Sequence, residues 1–150
     1  MLLFTPGPTP VLESVRQSMA TPTIHHRTPE FEDIFRRARE LLLKIIKTDE
    51  VVMLASSGTG AMESAVINLT SSKLLTINAG KFGERFGKIA KGHGLNYKEL
   101  IYEWDTPANI DEIVNEVKND ISIDAIAIQV SESSGGLRHP VEEIAKRVKE

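Results

Sequence analysis

Cysteine is absent from all 150 residues, which excludes disulfide staples and thiolate metal sites and fits a reducing compartment. An excess of one charge is also missing. Eighteen Lys and Arg stand against 21 Asp and Glu, a net charge of -3. The densest basic cluster, Arg36, Arg37 and Arg39, shares a helix with Glu32, Asp33 and Glu40, so no nucleic-acid partner is expected. No run is long and apolar enough to span a bilayer. Met1-Leu2-Leu3-Phe4-Thr5-Pro6 lacks the basic start and apolar core of a signal peptide, so a soluble cytoplasmic protein with no membrane partner is expected. His25 and His26 are adjacent, with no carboxylate-histidine spacing or cysteine nearby, and no metal site is expected. His93 and His139 read as solvated or turn residues. What remains is a chain with 41% hydrophobic residues, enough for one domain with a real core.

The organising stretch is Val51-Val52-Met53-Leu54-Ala55-Ser56-Ser57-Gly58-Thr59-Gly60-Ala61-Met62-Glu63. It predicts a short buried strand, a small-residue turn and a helix. Such a turn lets a ligand approach the backbone closely and points unpaired helical N–H groups at it, which suits a phosphate. It is not a P-loop, because no Gly-Lys-Ser/Thr follows. It is a poor dinucleotide fingerprint, because Glu63 stands where a third glycine belongs and the next strand ends in Asn78 rather than an acid. A smaller phosphate ligand fits better; a tight strand-to-helix connection with no ligand is the alternative.

Elsewhere the pattern alternates. Thr5-Pro6-Gly7-Pro8-Thr9-Pro10 is too proline-rich for helix or central strand. Val11, Val15 and Met19 predict a short helix. Thr28 can cap a longer one that Pro29 and Glu30 open. Its stripe of Phe31, Ile34, Phe35, Ala38, Leu41, Leu42, Ile45 and Ile46 predicts packing on a core. Leu74 to Asn78 predicts a strand, Ala79 to Gly83 a loop into a helix, Asn96 to Trp104 an extended segment, and Ile110 to Val117 a helix. Asp124 to Val130 predicts a strand buried on both faces, and Pro140 opens a last helix. This alternation predicts an α/β fold with a largely parallel sheet, whose ligands gather at the carboxyl ends of its strands. The loops at Ser56 to Gly60, Gly80 to Gly83 and Ser131 to Gly136 should then open on one edge. Together they offer a phosphate cradle, an aromatic ring beside glycines, and hydroxyls with an acid. A phosphorylated heteroaromatic cofactor, pyridoxal phosphate, needs that combination. Phe82 in the core, and Glu132 with its serines as helix or turn caps, are the structural alternatives.

Five ordered motifs carry a resemblance: Thr5-Pro6-Gly7-Pro8-Thr9-Pro10, His26-Arg27-Thr28-Pro29-Glu30-Phe31, Ser57-Gly58-Thr59-Gly60-Ala61-Met62-Glu63, Asn78-Ala79-Gly80-Lys81-Phe82-Gly83-Glu84-Arg85 and Glu132-Ser133-Ser134-Gly135-Gly136. The chain resembles the class V pyridoxal-phosphate-dependent aminotransferases, in the alanine-glyoxylate and serine-pyruvate branch, over nearly all its length. The resemblance implies an incomplete fold-type I large domain, with a mostly parallel sheet flanked by helices. Residues 1–27 would be an N-terminal extended, substrate-side segment with a short helix, residues 28–150 part of the cofactor domain, and the C-terminal small domain would be absent. It implies that Ser57, Gly58 and Thr59 bind the cofactor phosphate with Gly60 keeping the turn tight, that Phe82 lies over the pyridine face, and that Ser133 bonds near the ring substituents. Gly7, His26 and Arg27 would line the substrate side. The family acts as a homodimer on amino-acid and 2-oxo-acid substrates. Its Schiff-base lysine, its aspartate at the pyridine nitrogen and its carboxylate-binding arginine lie beyond the matched region, so this chain is expected to be an N-terminal fragment that is inactive alone. A desulfurase or lyase of the same fold, or a non-enzymatic α/β association module, are the alternatives.

Overall fold

The computed structural model describes residues 2–150, which divide into two compact units, one ending at Ala55 and the other Ser56–Glu150.

The first unit has two helices, α1 (Glu13–Met19) and α2 (Pro29–Ile46). The start of α2 follows its sequence signals. Thr28 is extended and its hydroxyl accepts from the Phe31 N–H at 3.4 Å, Pro29 occupies the first turn, and Glu30 and Glu32 sit at the positive end of the dipole. The helix ends where Lys47 turns left-handed at φ 57° and its N–H bonds the Leu43 carbonyl. The apolar stripe forms, but it does not pack on a core. No residue of α2 is buried, and Ile34, Phe35, Leu41, Ile45 and Ile46 all remain exposed. The periodicity correctly gives an amphipathic helix, but two helices with extended connections supply too little surface to cover it.

The expected strand at Val51 to Leu54 is absent. The segment is extended without ladder partners, and Val52 is 81% exposed. An apolar run becomes a strand only when a neighbour completes its hydrogen bonds, and none among the described residues does.

The second unit holds the parallel sheet. Strand β1 (Lys73–Asn78) is central, with β2 (Tyr97–Ile101) on one side and β3 (Ile123–Ala127) on the other, both parallel to it. Helices α3 (Gly58–Leu69), α4 (Lys81–Gly92), α5 (Ile110–Asn119) and α6 (Val141–Lys149) surround it. Alternate β1 side chains feed two cores. Leu75 and Ile77 pack with Leu100, Ile113, Ile123 and Ile144, whereas Leu74 packs with Val66, Phe86, Ala90 and Ala127. A strand buried on both faces, with helices over each, is the arrangement the uninterrupted apolar reading of β1 requires.

Strand β3 is shorter and less covered than expected: it stops at Ala127, and Asp124 faces solvent. The Asp124 carboxylate accepts the N–H groups of Ser71, Ser72 and Lys73 at 2.9, 2.8 and 3.2 Å, fixing the entry to β1. A polar residue in an apolar run therefore serves as a turn clamp. The segment expected to be only a loop after β3 contains a small antiparallel hairpin, β4 (Ser131–Glu132) and β5 (Leu137–Arg138), closed through Gly136 at φ 69°.

Leu75 has 0% exposure, so Leu75→Ala should cost about 2–5 kcal/mol of unfolding free energy by urea titration. Val52→Ala should change it by less than about 0.5 kcal/mol in this chain, since Val52 lies outside any ladder.

Candidate functional site

Two helix N-termini are the candidate anion sites, and the structure treats them differently. Helix α4 follows directly from the carboxyl end of β1, and its first N–H groups are all taken by the hairpin. Lys81 N–H donates to the Ser134 hydroxyl at 2.9 Å, and Phe82 and Gly83 N–H donate to Glu132 Oε2 at 3.1 and 2.7 Å. The Ser134 hydroxyl in turn donates to Glu132 Oε1 at 2.5 Å. Glu132 has 0% exposure. Burial pushes its carboxyl up, but the hydrogen bonds from Ser134, Gly83 and Phe82 outweigh this and hold it below the usual carboxylate range. A carboxylate at the positive end of a helix is well placed by charge as well as by hydrogen bonding.

Two glycines make the fit possible. A Cβ on Gly80 would lie 2.6 Å from both Glu132 Cγ and Ser134 Oγ, and one on Gly83 would lie 2.6 Å from the Ile77 carbonyl oxygen. The first lets the carboxylate in; the second lets α4 lie directly on β1.

Helix α3 starts open. Ser57 is its extended cap residue but makes no side-chain capping bond, no acid occupies the first turn, and Ser57 and Gly58 are exposed. The turn is closed by Gly60 N–H bonding the Ser57 carbonyl at 2.9 Å, and a Cβ on Gly60 would strike the Ser56 hydroxyl. Arg85 reaches this helix from α4: its Nη1 donates to Thr59 Oγ1 at 2.7 Å, and its guanidinium lies 5.0 Å from the centroid of the half-buried Phe82 ring. Uncapped N–H groups, a hydroxyl and a guanidinium thus share one place.

The remaining candidates are distributed as follows. Ser133 lies exposed in the hairpin turn between Glu132 and Ser134, next to the plug of α4. Gly7, His26 and Arg27 belong to the first unit. Gly7 is exposed in the proline-rich segment, the His26 ring stacks on His25 at 4.5 Å, and Arg27 is exposed with its N–H donating to His25 Nδ1 at 3.2 Å. Lys81 pairs with Glu84 at 3.2 Å on the surface of α4. No cluster of three or more His, Cys, Asp or Glu forms a metal cage among the described residues. An apolar cavity of about 580 Å³ opens between β3, α5 and α6, and no candidate residue lines it.

Sequence reasoning gave Arg85 no role and left Glu132 between ligand and cap. The signal for Arg85 was its i,i+3 spacing from Phe82 on a helix. For Glu132 the deciding fact is a contact about fifty residues away in the chain, which no local pattern encodes.

His139 requires a correction. It is not solvated but 1% exposed, and its Nδ1 accepts the Ala108 N–H at 3.0 Å. The ring satisfies a backbone donor that would otherwise be buried unpaired.

The architecture is that of a partial large domain of the pyridoxal-phosphate aminotransferases. An aspartate aminotransferase of subgroup IV from Thermus thermophilus superposes with a TM-score of 0.90 at 32% identity, covering 99% of this chain and 42% of that one. No protein-family model matches the chain. Relatives are nonetheless plain. A protein of Helicobacter pylori (strain ATCC 700392 / 26695) named as an uncharacterized aminotransferase is 59% identical over 150 residues, all of this chain and 41% of the relative. An L-aspartate–glyoxylate aminotransferase of Paracoccus denitrificans is 35% identical over 106 residues, 68% of this chain and 27% of the relative. The chain is homologous to the N-terminal part of aminotransferases, and the class V resemblance read from its motifs holds. It spans about two-fifths of the length of the full-length matches.

Burial lowers the basicity of His139 below its ordinary 6.5, partly offset by the nearby Glu132 charge. The unfolded chain therefore takes up this proton first as pH falls: the contribution to stability is complete above pH 6.5 and declines below it. His139→Asn, whose side-chain oxygen can accept the same N–H, should flatten that decline when urea midpoints are compared between about pH 8 and about pH 5.

Proposed function

We propose that this chain is the N-terminal part of the cofactor domain of a pyridoxal-phosphate-dependent aminotransferase, an enzyme that moves an amino group between a small amino acid and a 2-oxo acid. The observation that carries the reading is the open start of α3, where an uncapped turn and the Arg85 guanidinium meet. The homology to aminotransferases supports it independently.

The residues present fit the phosphorylated cofactor. A Cβ on Gly58 would meet nothing within 4 Å, so a ligand can approach the backbone there. Thr59 Oγ1 already accepts from Arg85, and its own hydrogen is left to donate to an anion. The phosphate would be held by Ser57, Gly58 and Thr59, with Gly60 keeping the turn tight and Arg85 adding positive charge. Phe82 would lie against the pyridine ring and Ser133 beside its substituents, while Gly7, His26 and Arg27 would face the substrate. Pyridoxal phosphate supplies an aldehyde that takes the amino group and a ring that accepts electrons. The lysine that anchors it would belong to the part of the relatives outside the matched region, so the 150 residues alone would not transaminate. The whole enzyme would be a cytoplasmic homodimer.

The test uses the protein carrying this chain together with the further length its relatives have. Pyridoxal phosphate should bind more tightly than pyridoxal, which lacks the phosphate, and Thr59→Val should reduce that preference about tenfold, or about 1.4 kcal/mol. Equal affinity of the unmodified protein for the two compounds would sink the proposal.

A further inference from the structure

The Glu132 carboxylate has 0% exposure, and the reading above gives it no task. It is fully buried, it is contributed by the hairpin, and its acceptor positions are spent on the helix that carries Phe82. Ser134 completes the contact by donating to Glu132 and accepting from Lys81. Two loops some fifty residues apart are thereby joined at three consecutive backbone N–H groups. One carries the ring assigned to the cofactor face, and the other carries Ser133, assigned to the cofactor edge. Gly80 leaves just enough room for the carboxylate.

We propose that Glu132 is a positioning residue for the cofactor: by plugging the first turn of α4 from the β4–β5 hairpin, it holds Phe82 and Ser133 as one rigid pair. The inference rests on the function proposed above. It follows from the physics of a buried charge, which is retained only where its hydrogen bonds are complete and geometrically fixed. A plain N-cap side chain would satisfy only one of these N–H groups and would not tie Phe82 to the hairpin. The carboxylate also fills an N-terminus that would otherwise compete with α3 for an anion.

The experiment uses the full-length protein and two variants. Glu132→Gln keeps the size and loses the charge; Gly80→Ala keeps the charge and displaces it. Amide hydrogen exchange is followed in the cofactor-free protein, and pyridoxal phosphate is then titrated by absorbance. Both variants should speed exchange at Lys81, Phe82 and Gly83 while leaving β1 and α5 protected. They should weaken pyridoxal phosphate about tenfold and shift the absorption band of what binds. A variant that frees those amides yet binds with unaltered affinity and band overturns the inference. So does one whose exchange rises equally throughout the sheet, because that marks a general structural role. An unmodified protein that fails to bind pyridoxal phosphate overturns the functional reading and this inference with it. An unmodified protein that binds, alongside variants that bind equally well, overturns this inference alone.

Discussion

A single carboxylate without access to water determines how the edge of the sheet where β1 and β3 end is built. Glu132 has three separate groups donating to it from Phe82, Gly83 and Ser134, and none of these bonds can be exchanged for water without unpacking the hairpin from α4. Buried ionised groups are tolerated only when paired in this way. The rest of the edge follows. Gly80 must lack a side chain to admit the carboxylate, and Gly83 must lack one to set α4 on β1. Phe82, between them, has its backbone N–H fixed by the same carboxylate.

The parallel sheet supplies the other constraint. Because β1 is central and both neighbours run parallel to it, the connections leaving β1 and β3 emerge at the same end. The chain needs no special device to bring Gly80 near Glu132; topology does so. Asp124 and Asp120 guard the opposite end. Asp124 accepts three N–H groups at the entry to β1. Asp120, held down to about 2 by hydrogen bonds from Lys73 and Ser122, ties the same strand to the turn before β3. The entry to β1 is thus clamped by the exposed Asp124 and the half-buried Asp120, and the helix that follows its other end by the buried Glu132.

What was legible in the sequence was whatever depends on neighbours a few residues away. The cap at Thr28, the parallel alternation from Leu74 onward and the glycine-rich start of α3 are local signals, and each forms as read. What was not legible depends on partners distant in the chain. Val51 to Leu54 has the composition of a strand, but composition supplies no ladder. The stripe of α2 has the right period, yet period alone does not create a surface to cover it. His139 reads as a solvated or turn residue until the Ala108 N–H, thirty-one positions earlier, is placed on its ring nitrogen. The candidate site divides the same way: the turn at Ser57 to Gly60 is visible in its glycines, while the partners of Arg85 and Glu132 are not.

The contrast between α3 and α4 gives the edge its electrostatic logic. Both helices present an N-terminus, and each would attract an anion equally if dipole alone decided. Helix α4 has its anion built in, and the charge of Glu132 is spent on that helix's own N–H groups. Helix α3 has none: its cap residue makes no side-chain bond and its first turn holds no acid. Arg85 then adds a cation on the side of the open helix, anchored by Thr59 Oγ1 and the Phe82 ring. A filled dipole beside an open one, with the guanidinium reaching toward the open one, makes the start of α3 the more favourable of the two for an anion. This contrast arises from where the chain puts its own carboxylate, and it is obtained with a net charge of only -3 over the whole sequence.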